Sequence, residues 1–224
     1  MAPPPLPAQL EALTGLLGEM SNAATAAMRD STAALVDNRS RLAERVIAGD
    51  PAIDALRAKV EETAAEALLF HAPVAGDLRS VVAAIRSAAS LERMGDLALH
   101  VAEAVRRRAP RPAVPAEVVR GFADMGALAV ALGHKAGEVV RSRNVLLAVE
   151  LDADDEAMDR LHRWTFGVLL DPAWPHGIEA AVDVTLLARY YERFADQAVR
   201  VARETVYAVT GRTPQELLEA GLER

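Results

Sequence analysis

The stretch LERMGDLALHVA, residues 91–102, returns one hundred residues later as YERFADQAVRVA, residues 191–202, and this repetition decides the fold. From 92 to 102, six of eleven positions are identical in the second copy, including Glu92, Arg93 and Asp96. From 76 to 105 only eight of thirty positions are identical, so the likeness is concentrated on one signature, Glu-Arg-x-x-Asp. Two alanine-rich helices match by chance at Ala and Val, but hardly at three charged residues together. The sequence therefore predicts an internal duplication.

Helical periodicity extends outward from both copies of the signature. Near the N-terminus, apolar residues recur every three or four positions, at 6, 10, 13, 17 and 20, as in an amphipathic helix. Ala and Leu are strong helix formers, and an aromatic content of 4% leaves the core to Ala, Leu and Val. We predict an all-α fold with three helices in each half. The predicted helices span residues 6–47 with a kink near 37–38, 51–70, 74–108, 116–149, 152–170 and 178–210.

A proline-rich segment separates the two halves. Residues 109–115, APRPAVP, carry three prolines in seven residues, which predicts a stiff and extended linker. We divide the chain into a first three-helix bundle at 1–109, a linker at 110–115, a second three-helix bundle at 116–211 and a tail at 212–224. The tail is predicted either to form one short helix or to fray.

Composition argues against several classes of function. A net charge of −7 is unsuited to nucleic-acid binding, which needs a basic face to neutralise phosphates. The chain has no cysteine, which excludes disulfides and thiolate metal sites. No apolar run is long enough to insert into a membrane, and the first residues lack the features of a signal peptide, so we predict a cytoplasmic protein. No phosphate-binding loop, dinucleotide fingerprint or nucleophile elbow occurs, and we predict that the protein is not an enzyme.

Carboxylates define the candidate site. Residues four apart share a helix face, so Glu92 and Asp96 lie together where an apolar stripe turns acidic, and Glu192 and Asp196 repeat the arrangement. Carboxylate oxygens are preferred by hard ions such as magnesium, calcium, manganese and iron. One pair is too few for a six-coordinate ion, so other residues must contribute. The further candidates are Asp50, Asp54, Asp155 and Asp159 at the starts of the second helices, with His100 and Glu103 after the first signature.

Each of these features also has a purely structural interpretation. Asp50 and Asp152 are suited to cap the start of a helix, where carboxylates complement the helix dipole. Glu92 and Glu192 could each pair with an arginine on a neighbouring helix. The acidic pair occurs at equivalent positions in both halves, which brings the metal interpretation level with the structural one.

Five stretches, taken in order, resemble the PhoU family of phosphate-transport regulators. They are APVAGDLR at 72–79, LERMGDLALHVAE at 91–103, DEAMDRLH at 155–162, YERFADQAVRVA at 191–202 and YAVTG at 207–211. The resemblance extends from about residue 10 to residue 211. The ordered set is far more specific than any single stretch.

The resemblance implies two three-helix bundles related by a pseudo-twofold axis, with metal sites at the acidic motifs that hold iron, zinc, magnesium or manganese. It also implies a negative regulator of the phosphate-starvation response, acting between the ATPase of the high-affinity phosphate ABC transporter and a sensor histidine kinase. Family members commonly form homodimers, and such a protein is expected at the inner face of the membrane through its partners. By motif position the metal role falls on Glu92, Asp96, Glu192 and Asp196, and then on Asp50, Asp54, Asp155 and Asp159.

The two copies depart from the family pattern in different ways. After the acidic motif the family usually carries Asn and then Glu, four and seven residues further on. The first copy has His100 and Glu103 there, a suitable ligand set, whereas the second has Arg200 and Arg203. Cations that face a site oppose a bound dication. The first site is therefore expected to bind metal, and the second to be weak or empty.

Two other functions stay open beside the signalling adaptor. One is a metal-binding or metal-storage helical bundle without a signalling role. Di-iron bundles use Glu-x-x-His motifs, and the sequence has none, which counts against this alternative. The other is a structural interaction module whose acidic pairs are solvated surface.

Overall fold

The computed structural model describes residues 4–213 and 216–217, and these form helices without any strand. The all-α prediction is confirmed. The helices are α1 Leu6–Val36, α2 Ser40–Gly49, α3 Pro51–His71, α4 Ala75–Arg108, α5 Ala116–Ser142, α6 Val145–Leu169 and α7 Gly177–Thr210.

The first predicted helix is divided in two. Helix α1 ends at Val36, and Asn38 adopts a positive φ of 51°, a conformation that Asn tolerates better than most residues. The side chain of Asn38 donates a hydrogen bond to the carbonyl oxygen of Pro110 at 2.9 Å. The predicted kink is thus a complete break, and it is tied to the segment that joins the halves.

The predicted boundary between the fourth and fifth helices was wrong. Helix α5 ends at Ser142 rather than near 149, because Arg143 turns into the left-handed region with φ 53°. The side chain of Asn144 then accepts hydrogen bonds from the backbone N–H groups of Leu146 and Leu147, which caps α6. Asp152 therefore lies inside α6, and its predicted capping role is wrong.

Asp50 takes the predicted N-cap position of α3, but it does not cap the helix through its side chain. Asp50 precedes Pro51, the first residue of α3, and its side chain makes no capping hydrogen bond. Helix α3 ends at His71, the following residue Ala72 adopts a φ of 42°, and α4 begins at Ala75. The carboxylate of Asp50 is left to interact with other groups.

The two halves share one continuous hydrophobic core. Helices α4 and α7 run antiparallel. Two ion pairs show this: Arg86 approaches Glu204 (3.5 Å) towards one end of the contact, and Arg108 approaches Glu179 (2.9 Å) at the other. Helix α1 packs against both α4 and α5. Within the predicted linker, Val114 is only 3% exposed, so this segment packs against the core.

Helices α1 and α5 approach so closely that only glycine fits at two points of contact. A Cβ atom on Gly126 would lie 2.2 Å from Cγ2 of Thr32, and one on Gly133 would lie 2.3 Å from Oγ1 of Thr25. Both distances are shorter than non-bonded atoms tolerate, so a side chain at either position forces the helices apart. This glycine seam joins the first half of the molecule to the second.

The predicted tail, 212–224, lies mostly outside the described residues. At its start, Thr213 and Glu216 exchange hydrogen bonds: the Thr213 N–H donates to the Glu216 carboxylate (2.6 Å), and the Glu216 N–H donates to the Thr213 hydroxyl (3.3 Å). This reciprocal pair is the capping box of a helix start, in line with the short-helix alternative.

Candidate functional site

The first signature lies beside the beginning of α3. Asp50, Asp54, Glu92 and Asp96 form what we call the first acidic cluster. Burial raises the pKa of Asp50, and the negative charges of Asp54, Asp96 and Glu92 raise it further. The structure therefore brings together the four residues that the sequence predicted from two separate helices.

Arginines neutralise much of the first cluster. Arg57 of α3 donates to Glu92 through Nη1 and to Glu61 through Nε, at 2.9 Å in both cases. On α4, Nη1 of Arg93 lies 3.0 Å from Oδ2 of Asp96. The pairing of Glu92 with an arginine on a neighbouring helix is the structural interpretation that the sequence left open.

His100 and Glu103 lie on the edge of the first cluster. Nδ1 of His100 is 3.5 Å from Oε2 of Glu103, and Glu103 also approaches Arg106 at 3.5 Å. The ring centroid of His100 is 5.3 Å from that of Tyr190 on α7. His100 is close enough to Asp50 to lower the pKa of that carboxyl slightly. Glu103 is engaged with its own helix neighbours.

The second signature lies beside the middle of α6. Glu192, Asp196 and Asp159 form the second acidic cluster, and Asp155 lies one helical turn before Asp159 and is half-buried. The side chain of Glu192 is only 13% exposed, and burial raises its pKa, followed by the charges of Asp196 and Asp159. Asp155 and Asp159 were predicted to lie beside the second signature, and Asp159 does.

The cations of the second cluster include Arg203, which the sequence suggested, and Arg189, which it did not. Arg189, three residues before Glu192, donates to Oε1 of that carboxylate. Burial raises the pKa of Asp196, while Arg189, Arg193 and Arg203 lower it. Arg203 was predicted to act here, whereas Arg189 was missed because its position in the first copy is the uncharged Ala89. The i, i+3 spacing to Glu192 was the signal that could have found it.

One oxygen of the second cluster has no partner among the described residues. Oε2 of Glu192 is buried and accepts no hydrogen bond there. A buried carboxylate oxygen without a donor is costly when the group is charged. This explains why the pKa of Glu192 is raised even though Arg189 pairs with its other oxygen.

Neither cluster has the geometry of a formed metal centre. Within the described part of the chain, no three Asp, Glu or His side chains lie close enough together to hold one metal ion. The four carboxylates of the two signatures face arginines instead, and this arrangement does not fit a metal ion. A metal ligand role for Asp50, Asp54, Glu92, Asp96, His100, Glu103, Asp155, Asp159, Glu192 and Asp196 stays a prediction.

Two exposed apolar surfaces lie at the turns of the α3–α4 and α6–α7 hairpins. We call them the first apolar surface (Leu69, Phe70 and Val74, exposed by 75%, 54% and 74%) and the second apolar surface (Leu170, Ile178 and Val182, exposed by 79%, 84% and 50%). Antiparallel α4 and α7 place these two turns at opposite ends of the molecule. Ile178 begins the apolar stripe that precedes the second acidic pair, and the sequence pattern did not show that this end of the stripe is left uncovered.

Among the described residues, none of the helices combines the length and apolar character that crossing a membrane requires.

Comparison with known proteins gives one consistent family. The family model described as the PhoU domain matches residues 17–105 and again 122–205, one match in each half of the chain. A phosphate-specific transport system accessory protein PhoU homolog 2 from Mycobacterium tuberculosis is 51% identical over 206 residues, which cover 92% of this chain and 97% of that protein. A PhoU homolog 1 from Mycobacterium leprae is 49% identical and covers 93% of this chain and 94% of its own.

Solved structures show the same fold. PhoU from Pseudomonas aeruginosa superposes with a TM-score of 0.82 at 24% identity, over 93% of this chain and all of the other. The phosphate transport system regulatory protein PhoU from Streptococcus pneumoniae also gives 0.82, at 23% identity, over 93% of this chain and 99% of its own. The fold that the resemblance implied is thereby confirmed.

Proposed function

The chain belongs to the PhoU family, and from this premise we propose that it is a negative regulator of phosphate uptake and of the phosphate-starvation response. It acts as an adaptor between the ATPase of the phosphate ABC transporter and a sensor histidine kinase. The mycobacterial relatives, which are named accessory proteins of the phosphate-specific transport system, support the first of these contacts.

The observation that carries the adaptor mechanism is the separation of the two apolar surfaces. An adaptor must engage two partners at once, and contiguous exposed apolar residues are typical of contact surfaces. The first apolar surface lies at the α3–α4 turn and the second at the α6–α7 turn, at opposite ends of the α4–α7 pair. Two partners bound there would not collide.

Charge near the second apolar surface indicates the chemistry of its partner. Arg107 and Arg111 line the same groove as Val182, and both are exposed. The same groove holds Glu179 and Asp183, which pair with Arg108, so Arg107 and Arg111 give a basic edge to a protein whose net charge is −7. A partner with an apolar centre and carboxylates beside it would complement this surface, since charge pairs at a rim favour correct encounters.

The remaining properties follow from this role. We propose regulation by contact, without catalysis, in the cytoplasm and at the inner face of the membrane where the transporter ATPase and the kinase domain lie. We also propose a homodimer, to be measured by light scattering against a chain mass of 23.9 kDa.

A pull-down with the two purified partners tests the adaptor. Ile178→Asp removes the apolar character of the second surface, and Leu69→Asp does so for the first. We expect each variant to lose one partner and to retain the other. Ala131→Asp, an exposed change on α5 away from both turns, serves as the control. Loss of both partners together, or of neither, would contradict separate surfaces.

A strain that lacks the gene tests the regulatory role itself. It should express phosphate-uptake genes even in high phosphate, and the wild-type gene should restore repression. Normal repression in the deleted strain would rule the proposal out.

A further inference from the structure

In both acidic clusters an arginine guanidinium pairs with the signature glutamate. Arg57 bonds Glu92 at 2.9 Å while it also bonds Glu61, and Arg189 donates to Glu192. We infer that Arg57 and Arg189 are the built-in cations of the two clusters and take the place of a divalent metal ion.

The two arginines come from opposite helices of their hairpins. The offset of 105 residues that superposes the acidic pairs of α3 and α6 places Arg57 on His162. The offset of one hundred that superposes the signatures of α4 and α7 places Ala89 on Arg189. The two equivalent pairs of positions are thus 57 with 162 and 89 with 189. Each hairpin carries one arginine at these positions, on α3 in the first half and on α7 in the second.

The charge of Arg189 also acts on His162. Burial lowers the pKa of His162, and the positive charge of Arg189 lowers it further, while Asp159 opposes both. Arg189 is therefore within electrostatic reach of the residue that stands in place of Arg57. In each hairpin the signature glutamate pairs with an arginine, although a different helix supplies that arginine.

A guanidinium and a dication cannot both neutralise these carboxylates. Arg57 holds one oxygen of Glu92, so an ion bound to this carboxylate would lie close to the guanidinium, and two positive groups that close repel strongly in a partly buried setting. Arginine is always charged, and its planar donors match carboxylates. An ion could enter only if the arginine left.

Calorimetric titration of the full-length, chelator-treated protein with Mn²⁺ tests this inference. The wild type should show no saturable binding. Arg57→Met and Arg189→Met keep an unbranched side chain but remove the charge, and each should gain a saturable site that the wild type lacks. The same variants should then melt at a higher temperature with Mn²⁺ than without it.

Two controls separate loss of charge from loss of packing. Arg57→Lys retains the cation and should bind Mn²⁺ no better than the wild type. Arg141→Met removes an arginine of similar exposure, 45% against 49% for Arg189, from an i, i−3 pair with Glu138 and should gain nothing.

The inference fails if the wild type binds Mn²⁺ in a stoichiometric amount, or if the folded Arg189→Met variant gains no binding. Because the two arginines lie in separate hairpins, a folding failure of Arg57→Met leaves the second cluster as an independent test.

Discussion

The two halves of the molecule carry the same acidic signature in different surroundings. In the first half, Glu92 pairs with Arg57 across the hairpin, whereas in the second half Glu192 pairs with Arg189 on its own helix and keeps one buried oxygen that has no partner in the described part of the chain. Two carboxylates on a common helix face were thus preserved while their neighbours were exchanged. The signature determines where the negative charge lies, and the neighbours determine how it is balanced.

The largest expected effect is on the packing between the two halves. We compare it with the packing between the two helices of one hairpin. Gly126→Ala places a Cβ atom against the β-branched Thr32 of the other half and should lower the free energy of unfolding by about 3 kcal/mol. Gly95→Ala gives the first signature the alanine that the second has at position 195. Its Cβ atom would meet the flexible end of Ile53 at 2.8 Å, and the gain in helix propensity offsets this, so we expect a change within about 1 kcal/mol.

Urea denaturation of both variants measures these two free energies. Gly15→Ala, where no other atom lies within 4 Å of the new Cβ, reports the helix propensity alone. Equal losses for Gly126→Ala and Gly95→Ala would show that the seam between the halves is no tighter than the hairpin contact.

The next effect compares the two ends of the α4–α7 contact. Nε of Arg108 donates to Asp183 at 2.8 Å, and their side chains are only 19% and 16% exposed. Arg108→Met leaves a largely buried carboxylate without its partner and should cost about 2 kcal/mol. At the other end, Glu204 is also only 17% exposed, but Arg86 is 59% exposed and approaches it no closer than 3.5 Å, so Arg86→Met should cost less, about 0.5–1 kcal/mol. Thermal melts that ranked the two variants in reverse order would contradict this reading of the contact.

A smaller effect is expected from the residue that precedes each signature. Tyr191 is fully buried, and its hydroxyl donates to Oγ1 of Thr32 at 2.9 Å, since the Thr32 hydroxyl itself donates to the carbonyl oxygen of Met28. Burial raises the pKa of Tyr191, so the phenol stays neutral. Tyr191→Phe makes this position apolar, as Leu91 is in the first half, and should cost about 1 kcal/mol.

Chemical denaturation checks that value, with Tyr190→Phe as the matched control, because the Tyr190 ring is only half-buried and packs beside His100. If the two substitutions had the same effect, the hydrogen bond between the halves would contribute nothing.

The smallest expected effects on the free energy of unfolding come from replacing the two signature glutamates. These effects should have opposite signs in the two clusters. Glu92→Gln loses the charge that pairs with Arg57 and should slightly destabilise the protein. Glu192 has a pKa raised above its ordinary value of 4.5, so its charged form costs stability above the folded pKa. Glu192→Gln should therefore raise the free energy of unfolding at neutral pH, by less than about 1 kcal/mol, and the gain should shrink as the pH falls through the folded pKa towards 4.5.

Denaturation of both variants at several pH values measures the signs. A Glu192→Gln gain that grew on acidification would show that the carboxylate is stabilised in its charged form.

Local patterns predicted most of the fold. The predicted start of helix α4 was one residue early, and its predicted end was correct. The prediction succeeded because the apolar repeat of this helix is long and Pro73 precedes it. The α5–α6 boundary was missed, since Arg143 and Asn144 lie in an otherwise continuous helical pattern. A single arginine with positive φ leaves little trace in a sequence, because the tertiary contacts of the flanking helices hold it there.

The opening repeat shows where prediction from the sequence ends. By itself, the sequence determined the helical class, the duplication, the family and the face on which each acidic pair lies, because these depend on periodicity and on residues that stay neighbours along one helix. Only the tertiary structure decided which arginine reaches each pair, which glycines join the halves and which apolar residues stay uncovered. Those features depend on how distant helices pack, and two copies of one signature can pack against different neighbours.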